Sequence, residues 1–167
     1  GIPLFSKKIE IKGKIAGPDR SFITVEEIID FANTVNLSDV EEVIQRQIDF
    51  NLAIATEGLT NSYGANVGKV LLKSGGNDIK NLAKAYAAAG SDARMNGCEM
   101  PVIINSGSGN QGMTASIPVI IYAKEKNISG EKLIRALVVS NLVTIHLKTG
   151  IGRLSAYCGA VSAGSGC

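Results

Sequence analysis

Asn105-Ser-Gly-Ser-Gly-Asn-Gln-Gly-Met-Thr-Ala-Ser-Ile-Pro118 is the stretch on which the reading of this chain turns. Its glycines alternate with Ser106, Ser108, Asn110 and Gln111, and an apolar segment from Thr114 to Lys126 follows. A glycine-rich loop running into a helix aims backbone N–H groups and the positive end of a helix dipole at one spot, which suits a carboxylate or phosphate. Serine and asparagine add donors without adding charge. The bare pattern fits a simple turn equally well. It is not a P-loop, because no Lys-Ser/Thr pair follows the last glycine. Pro118 falls near the start of the apolar segment, where a helix tolerates it.

Outward from this loop the pattern is helical. Downstream, Ser129 to about Lys148 carries Leu133, Ile134, Leu137, Val138, Leu142 and Ile145. A segment so apolar all round predicts a central, buried helix. Gly150 and Gly152 then lead into a small-residue helix from Arg153. Upstream, Thr24 with Glu27 and Ser38 with Glu41 each have capping-box spacing. From Ser38, the residues Val40, Val43, Ile44, Ile48 and Leu52 repeat at helical spacing as far as Gly58, a natural stop. A short helical turn at Lys69–Lys73 follows, then a helix Ile79–Ala89 opened by Asn77 or Asp78. Residues 5–15, Phe5-Ser-Lys-Lys-Ile-Glu-Ile-Lys-Gly-Lys-Ile15, alternate in twos and predict one strand. The fold expected is mainly α, with one short N-terminal strand whose partner lies elsewhere.

Composition narrows the class. The 167 residues carry 17 Lys+Arg against 15 Asp+Glu, a net charge of +2 that argues against a dedicated nucleic-acid binder. With 45% hydrophobic and 19% charged residues the chain is globular rather than disordered. Aromatic residues reach 5%, so Val, Ile, Leu and Ala must build the core. No run approaches the roughly 18 uninterrupted apolar residues of a membrane span, and the first fifteen residues lack a signal-peptide apolar region. These features place the protein in the cytoplasm, with no membrane or nucleic-acid partner. The start without methionine, in mid-pattern, predicts a piece of a longer chain.

Few residues carry chemistry. Cys98, Cys158 and Cys167 form an odd set without a C-x-x-C pair, so each reads by default as a small buried hydrophobe. Arg94, two residues after Asp92, is either a solvated helix-end residue or an arginine held near the anion loop to grip a carboxylate. His146, the lone histidine, reads as a partly buried helix residue. Neither a metal quartet nor a Ser-His-Asp set is visible.

Asp92-Ala-Arg-Met-Asn-Gly, the Asn105–Pro118 run and Gly152-Arg-Leu-Ser-Ala-Tyr-Cys-Gly159 together resemble the L-cysteine desulfidase family, which is related to the α-domain of iron–sulfur L-serine dehydratases. Glu57-Gly-Leu59 and Tyr63-Gly64 also resemble its pattern. The resemblance implies a helical serine-dehydratase-α-like domain, and a full-length enzyme with a [4Fe–4S] cluster held by three cysteines, its fourth iron open as a Lewis acid. L-Cysteine would lose its α-proton and β-thiol to give aminoacrylate, hence pyruvate, ammonia and sulfide. The alternatives are L-serine dehydratase-like activity and a non-catalytic module that binds an amino acid or anion.

Carried over residue by residue, Cys158 matches a cluster ligand. Asn105, Ser106, Gly107, Ser108, Gly109, Asn110 and Gln111 match the loop that holds the amino acid, and Arg94 and Arg153 match nearby basic positions. The resemblance names no catalytic base. Cys98 and Cys167 have no ligand counterpart, so the other two ligands are expected outside this chain, and the cluster absent from the chain alone. Residues 1–20 are then the end of a preceding β-containing segment, and 21–167 a helical catalytic-core domain truncated at its C-terminus. Cut faces predict a homo-oligomer.

Overall fold

The computed structural model describes residues 19, 20, 22–76, 78–128, 130–152 and 156–167. The strand expected over residues 5–15 lies outside them, as does Arg153. The fold is mainly α. Among the described residues run seven helices: α1 (Val25–Thr34), α2 (Leu37–Thr60), α3 (Val67–Gly75), α4 (Ile79–Met95), α5 (Gly109–Glu125), α6 (Glu131–Ile151) and α7 (Gly159–Gly164). α4 and α5 pack on each other and on α2, α3 leans on α4, α6 packs on α1, α2 and α5, and α7 lies across α5 and α6.

Local chemistry sets most of the boundaries. Thr24 forms its capping box: its hydroxyl accepts from Glu27 N at 3.2 Å, and the Glu27 carboxylate accepts from Thr24 N at 2.9 Å. The box expected at Ser38 does not form. α2 begins one residue earlier, behind an extended Asn36, so Ser38 is already inside the helix and its hydroxyl reaches only Asp39. Asp78 opens α4 by accepting from Lys80 N and Asn81 N. That helix runs on to Met95, six residues beyond the expected Ala89, and ends at Gly97 (φ 88°) with Cys98 N donating back to Ala93 O, a Schellman closure.

Gly58 does not stop α2, which continues to Thr60. It is a contact residue instead, because a Cβ there would overlap the carbonyl of Ala89 on α4. The close approach of these two helices recurs at Gly90 of α4, where a Cβ would meet Ala55 of α2. On the same helix Val43, expected on the buried face, is exposed. The face turned inward is Ile44, Gln47, Asn51, Ile54, Ala55 and Gly58.

The central helix is α5, not α6. α5 starts at Gly109, five residues before the expected Thr114, and Pro118 sits well inside it. Met113, Ala115, Ile117, Ile120 and Ile121 are buried, with Gly109, Gln111, Gly112 and Ser116 buried between them. α6 is long and apolar enough to cross a membrane by length and hydropathy, yet only a third of that window is buried in the protein. Its inward face holds Leu137 and Val138 alongside Ser140, Thr144 and Lys148. Small apolar side chains on α5 let four helices pack around it.

Candidate functional site

The glycine-rich loop is a tight turn fused to a helix N-terminus. Asn105 N donates to Ser108 O at 3.1 Å and Ser108 N to Asn105 O at 3.0 Å, closing a two-residue hairpin. Ser106 (φ 49°) and Gly107 (φ 92°) both lie in the left-handed region, the signature of a type I′ turn. The segment is therefore a turn, Asn105–Ser108, followed directly by the first residues of α5.

Buried amides fix the hairpin. Asn105 is 5% exposed. Its Nδ2 donates to the Asn141 side-chain and backbone oxygens, and its Oδ1 accepts from Ser106 Oγ at 2.8 Å. Asn141 on α6 exchanges two hydrogen bonds with Gln47 on α2, at 2.9 and 2.7 Å. Asn51, fully buried on α2, accepts from Ile103 N at 2.8 Å and donates to Ile103 O and Ser116 Oγ. Gly112 completes the seat, because a Cβ there would overlap the Ile103 carbonyl.

Downstream, Ser108 precedes α5 without a capping side-chain bond, and Gly112 N makes the first backbone bond back to Ser108. The first-turn N–H groups of Gly109, Asn110 and Gln111 thus have no acceptor within the helix, and the helix dipole adds to their pull on an anion. Arg94 stands beside them. Its Nη1 donates to Asn110 Oδ1 at 3.2 Å, and its stem occupies the space a Cβ on Gly109 would need. Asp92 does not pair with it: the carboxylate accepts from Val67 N at 2.7 Å and caps α3. Arg94 thus lies half-buried against the start of α5 rather than paired with Asp92.

Gln111 links this turn to the cysteine motif. It is 6% exposed, its carboxamide fills the space above Gly159 at the start of α7, and its Oε1 has no hydrogen-bond partner. Cys158 immediately precedes Gly159. Its thiol is exposed, and the backbone N–H groups of Val161 and then Ala160 hold it below the usual thiol range, with a smaller contribution from the Lys148 charge. Lys148 on α6 is buried and has no carboxylate partner; the ion pair formed among the described residues is Glu131–Arg135 on the same helix.

The other cysteines are not gathered here. Cys167 is exposed like Cys158, so neither is the buried hydrophobe expected, and burial around the Cys167 thiol pushes it up. Cys98, half-buried, packs on the core. No group of three His, Cys, Asp or Glu side chains that could hold a metal occurs among the described residues. His146 is half-buried on α6, as expected. Glu57 and Tyr63 form a separate knot at the end of α2. Glu57 accepts from Tyr63 OH at 2.9 Å and Asn61 Nδ2 at 2.7 Å, and the Tyr63 phenol, donating to Glu57 beside Cys98, is pushed up to about 12.

Gln47, Asn51, Asn141 and Lys148 escaped the sequence reading. The available signal was a polar residue recurring at core spacing, as in Ile44, Gln47, Asn51, Ile54 and Gly58.

Residues 9–167 match the serine dehydratase alpha chain family. The chain belongs to that family. Among curated relatives, a UPF0597 protein of Desulfitobacterium hafniense (strain Y51) is 66% identical over 148 residues, covering 89% of this chain and 34% of that protein. UPF0597 proteins of Lachnoclostridium phytofermentans and Fusobacterium nucleatum are 60% and 55% identical, each over 89% of this chain and 36% of the relative. The chain thus spans about a third of the length of the relatives it matches. No solved structure matches. Within this serine dehydratase alpha chain domain, the hairpin, the α5 N-terminus, Arg94, Gln111 and Cys158 make up the candidate site.

Proposed function

We propose that the full-length protein is an iron–sulfur-dependent amino-acid lyase of the L-cysteine desulfidase type, converting L-cysteine to pyruvate, ammonia and sulfide. The observation that carries the reading is the meeting of two motifs from distant parts of the sequence: Gln111, from the anion-binding turn of α5, lies against Gly159, next to Cys158. Membership in the serine dehydratase alpha chain family supplies the reaction class.

Cys158 fits one ligand position of a [4Fe–4S] cluster, since an accessible thiol held low by backbone N–H groups is a ready thiolate donor. When bound, such a cluster supplies a Lewis acid for the β-leaving group. The chain's own residues do the rest of the binding. Free amides of Gly109, Asn110 and Gln111, with Arg94, take the substrate carboxylate. The Asn105–Ser108 hairpin, locked by Asn141, keeps those amides in place, and Arg153 belongs to the same proposed set. We also place the protein in the cytoplasm as a homo-oligomer.

Reconstitution of the full-length protein under anaerobic conditions tests this. Cys158→Ala is expected to abolish the cluster's visible absorbance and cysteine turnover together; an unchanged iron content would overturn the assignment. Faster turnover of L-serine than of L-cysteine would assign the enzyme as a serine dehydratase instead.

A further inference from the structure

Among the described residues Arg94 has no carboxylate partner. Its Nη1 donates to two neutral acceptors, Asn110 Oδ1 at 3.2 Å and Met95 Sδ at 3.4 Å. The first bond is long for a charged donor, and a thioether sulfur is a weak acceptor. The guanidinium beside the first turn of α5 is therefore held by a balance of two weak contacts, which a change at either acceptor can tip.

The two acceptors differ in access and in chemistry. Asn110 is half-buried, whereas Met95, the last residue of α4, is 64% exposed. Of the chain's other two methionines, Met100 is 37% exposed and Met113 is fully buried. A thioether reacts with peroxides, and exposure sets which methionine reacts first. A sulfur lone pair forms the S–O bond as the O–O bond breaks. The leaving hydroxide takes the proton carried on the transferred oxygen and departs as water. Sulfur is oxidised by two electrons and the peroxide reduced by two. The sulfoxide oxygen is polar and a far better acceptor than the thioether, and it is bonded to a sulfur already in contact with Nη1.

Resting on the amino-acid-lyase reading above, we propose that Met95 is an oxidation site that regulates carboxylate binding at the start of α5. Its sulfoxide takes Nη1 from Asn110, turns the guanidinium out toward solvent at the end of α4, and so removes the one cation from the carboxylate's donors. The Arg94 stem still crosses Gly109, where the missing Cβ leaves it room, so the change is confined to the guanidinium. Reduction of the sulfoxide reverses it.

Peptide mass spectrometry of the full-length protein during titration with hydrogen peroxide locates the site. Calorimetry with L-alanine, which carries the substrate's carboxylate but no β-leaving group, reads its effect. One oxygen atom is expected on Met95 before Met100, and on Met113 last. Peroxide-treated wild type should bind L-alanine about 5-fold more weakly than equally treated Met95→Leu, the range of one hydrogen bond, and methionine sulfoxide reductases should restore it. Without oxidant, Met95→Gln places a carboxamide oxygen near the sulfoxide's position and should weaken binding similarly, while Met95→Leu binds like wild type. In an Arg94→Ala background Met95→Gln should change nothing, because the effect runs through the guanidinium. Oxidation of Met100 with Met95 intact overturns the proposal and leaves the lyase reading standing. So does equal affinity of Met95→Gln and Met95→Leu, or a Met95→Gln effect that persists without Arg94. Failure of untreated wild type to bind L-alanine overturns the lyase reading, and the proposal with it.

Discussion

At the scale of single residues, two thiols nine positions apart behave oppositely. Cys158 stands at the open start of α7, where the N–H groups of Val161 and Ala160 favour the charged thiolate, so its proton leaves at lower pH than from an ordinary thiol. Around Cys167 burial disfavours the charge, and its proton leaves at higher pH. Alkylation follows the thiolate, so its rate should rise through a midpoint at lower pH than for an ordinary thiol at Cys158 and at higher pH at Cys167. Iodoacetamide labelling across pH, read by peptide mass spectrometry, measures both curves at once, and coincident midpoints would refute the contrast. Little of it was legible in sequence. Cysteine type and spacing gave both the same default, whereas the difference arises from which thiol meets free backbone N–H groups and which meets packed side chains.

At the scale of elements, the α5 N-terminus is held by helices distant in sequence. Asn51 on α2 satisfies both backbone groups of Ile103 and also reaches Ser116, so one side chain joins α2, the loop and α5. Asn51→Ala leaves the Ile103 N–H and carbonyl buried without those partners, and should cost roughly 2–4 kcal/mol of stability. It should also weaken ligand binding at the loop, because Ile103 is two residues from the Asn105 hairpin. Urea unfolding and L-alanine calorimetry on the same variant check both effects; a loss under 1 kcal/mol would mean that the loop is held by other contacts. The helices themselves were largely legible, because Thr24–Glu27 and Asp78 are local devices and the apolar spacing of α2 and α6 is a local pattern. The start of α5 and the passage of α2 through Gly58 were not. Glycine normally marks a break, and only the carbonyls of Ile103 and Ala89, brought up from elsewhere in the chain, explain why Gly112 and Gly58 stay helical. Likewise α6, apolar all round, read as central, while α5 holds the centre because its small residues admit neighbours on every side.

At the scale of the whole molecule, the three cysteines sit in three different settings. Cys98 follows the end of α4 and packs on the core beside Tyr63; Cys158 opens α7 near Gln111; Cys167 lies past the other end of α7, lining an apolar groove with Ile79, Pro118 and Tyr122. The six residues of α7 separate Cys158 from Cys167 by about 9 Å of helical rise alone, and Cys98 packs on the core after the end of α4. A cubane needs thiolates converging on one point, and rearranging these three would mean pulling Cys98 out of the core. Anaerobic reconstitution of the 167-residue chain is therefore expected to yield far less than one [4Fe–4S] cluster per chain by iron and sulfide analysis. In the full-length protein, Cys98→Ser and Cys167→Ser should leave cluster content near wild type while Cys158→Ser removes it. The serine pair separates a ligand from a bystander, because all three changes are equally small and only one touches the surface beside Gln111. A stoichiometric cluster on the chain alone, or loss of the cluster with Cys167→Ser, would mean that α7 rearranges around iron and that the arrangement of its two ends described above belongs to the metal-free protein only.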